Sequence, residues 1–189
     1  MRVSREQAQA NRARVVETAA TLFRERGFDG IGVADLMKAA GLTHGGFYGQ
    51  FASKEDLIAE ACDKAVEGTL DYWSDRAARA EASERLAAVV QPYLSARHRD
   101  APGNGCVMAA LGAEAARQGK PVRKAVGAGV RRLADFLADL MPGKSAERRR
   151  AQALAAYATM VGAMVIARAV DDPKLSQEVL DAAYERIAG

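Results

Sequence analysis

Two cysteines, two histidines, five prolines, one tryptophan and 6% aromatic residues are all that this chain of 189 residues has of each. Cys62 and Cys106 are too few to staple a protein of this size, which excludes a disulfide scaffold. His44, His98 and two separated cysteines form no metal-spaced cluster. No Gly-rich phosphate loop leads into Lys-Ser/Thr, and no nucleophile motif is present. Gly45, Gly46 and Gly49 follow no strand, so a dinucleotide reading fails. The sequence therefore reads as a non-enzyme with no catalytic residue, no metal and no cofactor. Met1 to Gln7 holds no apolar stretch of the secretory kind. The longest uncharged run, Ala151 to Ala167, contains Gln152, Thr159 and Gly162 and lacks the Leu/Ile/Phe density that favours insertion. It reads as a buried helix with no membrane partner, and free thiols point to the cytoplasm.

What the chain does have is alanine, about one residue in five, within a hydrophobic share of 49%. Alanine is the best helix former and a poor strand former, so the expected fold class is all-α. High apolar content with nearly balanced charge excludes disorder. The net charge is +3 and the sequence pI near 9.0. So small an excess means little unless it is clustered.

Apolar residues at Val15/Val16, Ala19/Ala20 and Leu22/Phe23 predict a helix over 4–26, with Gly27 as its cap and Phe28 folding back onto the last turn. Val33, Leu36, Met37 and Ala40 predict a short helix that Gly41 stops. Thr43 is a candidate N-cap for the next helix, on which Phe47 and Phe51 share one face. Two short helices around a glycine turn describe a helix-turn-helix at 33–50. Ser53 with Asp56 three residues later resembles a capping box and opens a long helix to about Arg79. Further helices are expected over 83–97 (bent at Pro92), 106–118, 121–140, 145–169 and from Pro173 with Asp172 as cap. That makes about nine in all.

With Phe47 and Phe51 facing the core, Thr43, His44, Gln50 and Tyr48 are left outward, each carrying a hydrogen-bonding group. A glycine costs about 1 kcal/mol against Ala in a helix interior. Three of them in one short segment call for close backbone approach, either to DNA or to the first helix.

Gly27-Phe28, then Val33 through Gly41, Leu42-Thr43-His44-Gly45-Gly46-Phe47-Tyr48-Gly49-Gln50-Phe51 and Ser53-Lys54-Glu55 together resemble the DNA-binding domain of TetR/AcrR-type transcriptional regulators. The Ala39-Ala40-Gly41 turn, the Phe47-Tyr48 pair, Phe51 and the Ser-Lys-Glu run carry the resemblance, over about residues 8–60. Ile31-Gly32 departs from it, since a hydroxyl residue commonly opens the second helix. Beyond residue 60 the resemblance lies in size and helix layout, plus the Gly105-Cys106 helix start of a subgroup. The resemblance implies a three-helix DNA-binding domain over 1–52 and a helical effector-binding and dimerisation domain over 53–189. It implies a homodimeric repressor that binds a palindromic operator and leaves it when a small molecule enters the second domain; activation fits the same residues. Carried over by position, Thr43, His44, Tyr48, Gln50 and Lys54 are the expected DNA contacts, with His44 and Gln50 toward base edges and the others toward phosphates. Arg5, Arg12 and Arg14 reach flanking phosphates or form a solvated face.

The 145–169 segment carries Leu154, Tyr157, Val161 and Met164 on one stripe and Ala156, Met160, Ala163 and Ile166 on another. A helix apolar on two sides is buried on both. With the last helix it suggests a homodimer contact through the last two helices. Candidate effector-pocket residues are Trp73, Tyr93, His98, Cys106, Phe136, Tyr157, Met160 and Met164, with Met108 beside them; ordinary core packing is the alternative for each. Cys106 at a helix start reads as a sensor thiol or as a small buried hydrophobe. Residues 1–60 hold eight basic and eight acidic side chains, so the whole +3 lies in 61–189.

Overall fold

The computed structural model describes residues 4–189. Among these there are nine α-helices, two single 3-10 turns and no strand. α1 (Arg5–Arg26) starts at Ser4, whose hydroxyl accepts from the Gln7 N–H at 3.1 Å. It stops at Gly27, where φ is +79°, a conformation that favours glycine. Phe28 then returns onto Phe23, ring edge to face at 5.6 Å. α2 (Val33–Ala39) buries Leu36 and Met37 under α1.

The helix expected from Thr43 is instead a 3-10 turn, His44–Gly46, followed by a turn to Gln50. The Gly46 N–H donates to Thr43 O at 3.0 Å and the Phe47 N–H to His44 O at 3.1 Å. Three glycines weaken an α-helix here, and short runs are where 3-10 geometry is tolerated. The Thr43 hydroxyl makes no capping bond, contrary to expectation. Phe47 and Phe51 are buried and stacked at 5.4 Å, and they hold the segment in place without a regular helix.

α3 (Lys54–Ala78) begins as the sequence indicates: the Ser53 hydroxyl accepts from the Asp56 N–H at 3.0 Å. It is long enough to serve two cores. Leu57, Ile58 and Ala61 pack toward α1; Val66, Trp73 and Ala77 pack toward the later helices. The single bent helix expected over 83–97 is two helices, α4 (Arg85–Tyr93) and α5 (Ala96–Asp100). Pro92 sits one residue before the end of α4, and Ser95 restarts the chain by accepting from the His98 N–H.

α6 (Val107–Ala115), α7 (Lys120–Leu140), α8 (Ala146–Ala169) and α9 (Pro173–Ala188) complete the second lobe. Asp172 caps α9 through the Lys174 and Leu175 N–H groups at 2.9 and 3.1 Å. α7 packs along α3 at close range: a Cβ at Gly129 would lie 2.6 Å from Val66 Cγ2. α8 is long and apolar enough to cross a membrane by length and composition. One face of it, Ala153, Ala156, Tyr157, Met160, Ala163, Met164 and Ala167, is buried in the protein. Its other face leaves Leu154, Val165 and Ile166 exposed, beside Leu175 on α9.

Candidate nucleic-acid interface

The segment from Thr43 to Gln50 is built on two buried rings. Phe47 and Phe51 turn inward, and burying each contributes about 1.5–3 kcal/mol. That anchor presents the opposite side to solvent. Thr43, His44 and Tyr48 are exposed, Tyr48 by 69%. His44 meets Tyr48 edge to face at 6.0 Å, and Tyr48 meets Phe47 at 5.3 Å. Tyr48 is therefore braced from two sides although it is exposed.

The glycines of this segment have no packing reason. A Cβ at Gly45 would meet nothing within 4 Å, and at Gly46 it would make ordinary contact with Met37 at 3.6 Å. None has a positive φ. The alternative of tight packing on α1 is thus removed, and an open backbone surface remains.

Lys54 and Gln50 sit differently from the exposed three. Lys54 is half-buried at the first turn of α3, its Nζ 6.0 Å above the Phe23 ring. Gln50 is turned back: its Nε2 donates to Gly46 O at 3.2 Å, and its Oε1 is buried without a partner. Reaching a base edge would require the Gln50 amide to rotate outward.

Arg12, grouped with Arg5 and Arg14 by sequence, has a structural partner. It grips Glu60 through two bonds of 2.6 Å, lies 4.7 Å over the Phe51 ring, and donates to Gln50 O. It ties α1 to α3 behind the 43–50 segment, and Glu60 raises its proton affinity. Arg14 donates to Ala40 O at 3.4 Å, while Arg5 is exposed. Sequence reading missed the Arg12–Glu60 pair, because no local spacing links residues 48 apart.

The two lobes meet along α1 and α6. Arg24 Nη1 donates to Gly105 O at 2.7 Å, and the Phe28 N–H donates to Glu114 Oε2 at 2.7 Å. α6 is thereby held to α1 at both ends. Glutamates face glycines three times across this seam: Glu25 against Gly103, Glu114 against Gly27, and Glu55 against Gly119. Burial lowers the proton affinity of Arg24, which has backbone carbonyls and no carboxylate as hydrogen-bond partners.

Behind the seam lie the residues proposed from sequence for an effector pocket. Trp73 is the hub, with ring centroids 6.2 Å from Tyr93, 5.9 Å from Phe136 and 6.4 Å from Tyr157. His98 packs on Tyr93 at 4.5 Å. Its Nδ1 donates to Tyr93 O at 2.7 Å, and its Nε2 accepts from the Cys106 N–H at 3.0 Å. Cys106 Sγ lies 3.3 Å from Tyr157 Oη. Met160 and Met164 are fully buried on the α8 face that carries Tyr157. Burial pushes the Tyr93 and Tyr157 hydroxyls well above their ordinary range, and the Tyr93 hydroxyl has no partner. Cys62 sits apart, its thiol pushed up to about 12 by burial, and serves as core.

The cluster is closed by ring-to-ring contact. An open cleft of about 260 Å³ lies beside it between α5 and the α8–α9 turn, lined by Arg99, Asp100, Arg168, Asp172 and Ser176 among others. Arg168 links the cleft to the cluster by donating to His98 O at 2.7 Å, and its Nη1 is buried without a partner.

Residues 15–61 match the family described as bacterial regulatory proteins, tetR family, and residues 82–183 match the tetracyclin repressor-like C-terminal domain. The HTH-type transcriptional repressor KstR2 of Mycobacterium tuberculosis is 36% identical over 66 residues, 35% of this chain and 31% of that protein. The HTH-type transcriptional regulator TtgR of Pseudomonas putida is 34% identical over 84 residues, 44% of this chain and 38% of that protein. The chain thus spans under two fifths of these relatives. A tetR-family regulator from Cytophaga hutchinsonii superposes with a TM-score of 0.80 at 23% identity, covering 100% of this chain and 98% of the other. Reduced NemR of E. coli gives 0.78 at 23%, covering 94% and 95%.

Proposed function

The chain belongs to the tetR family of bacterial regulatory proteins, and on that footing we propose that it is a homodimeric repressor that binds a palindromic operator and is released by a small molecule. That it is a DNA-binding transcriptional regulator and not an enzyme follows from the family. The finer reading rests chiefly on one observation. Tyr48 is exposed yet braced by His44 and Phe47, on a segment whose other side is locked into the core.

In this reading Tyr48, Thr43 and Lys54 set register on phosphates, and His44 approaches a base edge, joined by Gln50 once its amide turns out. Residues 1–52 are the DNA-binding domain and 53–189 the effector and dimerisation domain, with α3 serving both. Dimerisation uses α8 and α9, which is supported by the exposed Leu154, Val165, Ile166 and Leu175. Two-fold symmetry then requires half-sites about 34–36 Å apart or a multiple of it. The effector enters the Trp73–Tyr93–Phe136–Tyr157 cluster, with His98, Cys106, Met160 and Met164 around it, by parting rings that now touch. The protein acts in the cytoplasm.

Selection of binding sites from random DNA by the purified protein tests this. A palindromic consensus is expected, lost in Tyr48→Ala and Lys54→Ala. Enrichment of no motif would overturn the reading.

A further inference from the structure

We propose that the outward face of α7 is a second DNA-backbone surface, which takes phosphates flanking the operator half-site and lies outside the helix-turn-helix. It rests on the DNA-binding reading and extends it to the other lobe.

The first observation is the charge. Between Glu114 and Asp135 there is no acidic residue, and six cations occur: Arg117, Lys120, Arg123, Lys124, Arg131 and Arg132. All six are exposed. At 100° per residue, Lys120, Arg123, Lys124 and Arg131 fall within about 100° of one another on α7. Val122, Gly129, Leu133 and Leu137 fill the opposite, buried side. From Lys120 to Arg131, about three turns, the outward ridge therefore carries cations and no acid.

The second observation is how little the protein does to neutralise that ridge. Arg132 pairs with Asp63 at 3.3 Å. The other five make no ion pair among the described residues. Lys120 faces like charges at Arg123 and Lys124, three and four residues on, an arrangement that destabilises an isolated helix by about 0.2–0.5 kcal/mol per pair. The first turn of α7 holds no acid of its own, and the one carboxylate at its start is Glu55 of α3, against the N-cap Gly119. A ridge that costs the free protein stability is relieved by a polyanion.

The third observation is position, which selects DNA as the occupant. α7 begins at Gly119, packed so closely on Glu55 that a Cβ there would overlap the carboxylate. Glu55 directly follows Lys54, the contact expected at the start of α3. α7 then runs alongside α3, with Gly129 against Val66. The cationic ridge therefore starts at the end of the second lobe that borders the recognition segment. Residues 1–60 are formally neutral, and six of the 19 basic residues that follow lie between Arg117 and Arg132.

The test compares the unaltered protein with Lys120→Gln/Arg123→Gln/Lys124→Gln/Arg131→Gln on two duplexes: the selected operator alone, and the same operator with one helical turn added at each end. Affinity is measured against salt concentration. The unaltered protein is expected to bind the longer duplex with a steeper salt slope, by about 0.9 for each phosphate engaged. The four-fold variant should show the same slope on both duplexes while keeping its preference for the operator. A second variant, Lys120→Glu/Lys124→Glu, should weaken binding to the longer duplex further, and its helical circular dichroism should match that of the parent. Equal slopes on both duplexes for the unaltered protein would overturn the inference and leave the operator reading standing. Failure of the unaltered protein to bind any duplex would overturn both.

Discussion

The recognition segment and the Trp73 cluster are both built on aromatic residues, and they are arranged in opposite ways. At the recognition segment Phe47 is buried so that Tyr48 can stand 69% exposed. At the second cluster Trp73, Tyr93 and Tyr157 all turn inward, and the polar atoms go in with them. In the first region three of the proposed contact groups, Thr43, His44 and Tyr48, already face water, while Gln50 is turned inward and Lys54 is half-buried. The second is closed on itself, and anything entering must part the rings. On the proposed function, an exposed aromatic surface suits the DNA-reading output and a closed core suits an input that acts by displacement. The seam residues Arg24, Gly105, Glu114 and Phe28 join the two through hydrogen bonds of 2.7 Å.

Truncation breaks this comparison most sharply. Trp73→Ala removes the hub of a packed cluster and should cost about 3–5 kcal/mol, read as a lower denaturant midpoint at unchanged slope. Tyr48→Ala removes a ring of similar kind from the surface and should change stability by less than about 0.5 kcal/mol while abolishing operator binding. Equal stability losses from the two would contradict the division between core and reading surface.

A smaller loss is expected at the seam. Glu114→Ala leaves the Phe28 N–H without its carboxylate, and a hydrogen bond to a charged group contributes about 1.5–3 kcal/mol. Glu114→Gln keeps an acceptor at the same place and should recover part of this in thermal melts. Recovery by Gln would assign the effect to the hydrogen bond; no recovery would assign it to charge.

Within the closed cluster, Tyr93→Phe keeps the ring contacts with Trp73 and His98 and deletes a hydroxyl that is buried without a partner. Stability should rise by about 1 kcal/mol, since an unpaired buried polar group is costly. A fall of the same size in chemical denaturation would show that the hydroxyl is paired in solution.

These contrasts explain what the sequence made legible. Helix ends set by local chemistry were readable: Ser53 with Asp56, Asp172 with Pro173, Gly27 with Phe28. The buried face of α3 followed from 3.6-residue spacing, whereas the two stripes expected on α8 merge into one buried face that leaves out Leu154 and Ile166. The recognition segment was located through Phe47, Tyr48 and Phe51, yet its 3-10 form was not foreseen, although its glycines carried that signal. The break after Tyr93 was placed near Pro92 and misread as a bend. Contacts between distant residues left no local trace. Arg12 with Glu60, Arg24 with Gly105 and Glu114 with Phe28 are products of packing, and so is the inward turn of Gln50.

The smallest effect expected is a pH slope from His98. The His98 Nε2 accepts from the Cys106 N–H, so the folded ring is neutral and carries its proton on Nδ1 toward Tyr93 O. Protonation would add a donor where a donor already points. Burial holds the His98 pKa below its ordinary value, and the neighbouring Arg168 and Arg24 lower it further. An unfolded histidine titrates near 6.5. Below that pH the unfolded chain gains a proton that the folded ring refuses, so stability falls as pH drops through 6.5. Above it the ring is neutral in both states and contributes no slope. One proton limits the slope to about 1.4 kcal/mol per pH unit. His98→Gln removes this group and keeps His44 and every carboxylate, so the difference between the two stability–pH curves isolates His98. The curves should run parallel above pH 7 and converge below 6.5, as the parent alone loses stability there. Curves parallel throughout would mean that the folded ring titrates like a solvated one, and the closed cluster would then admit water at the start of α6.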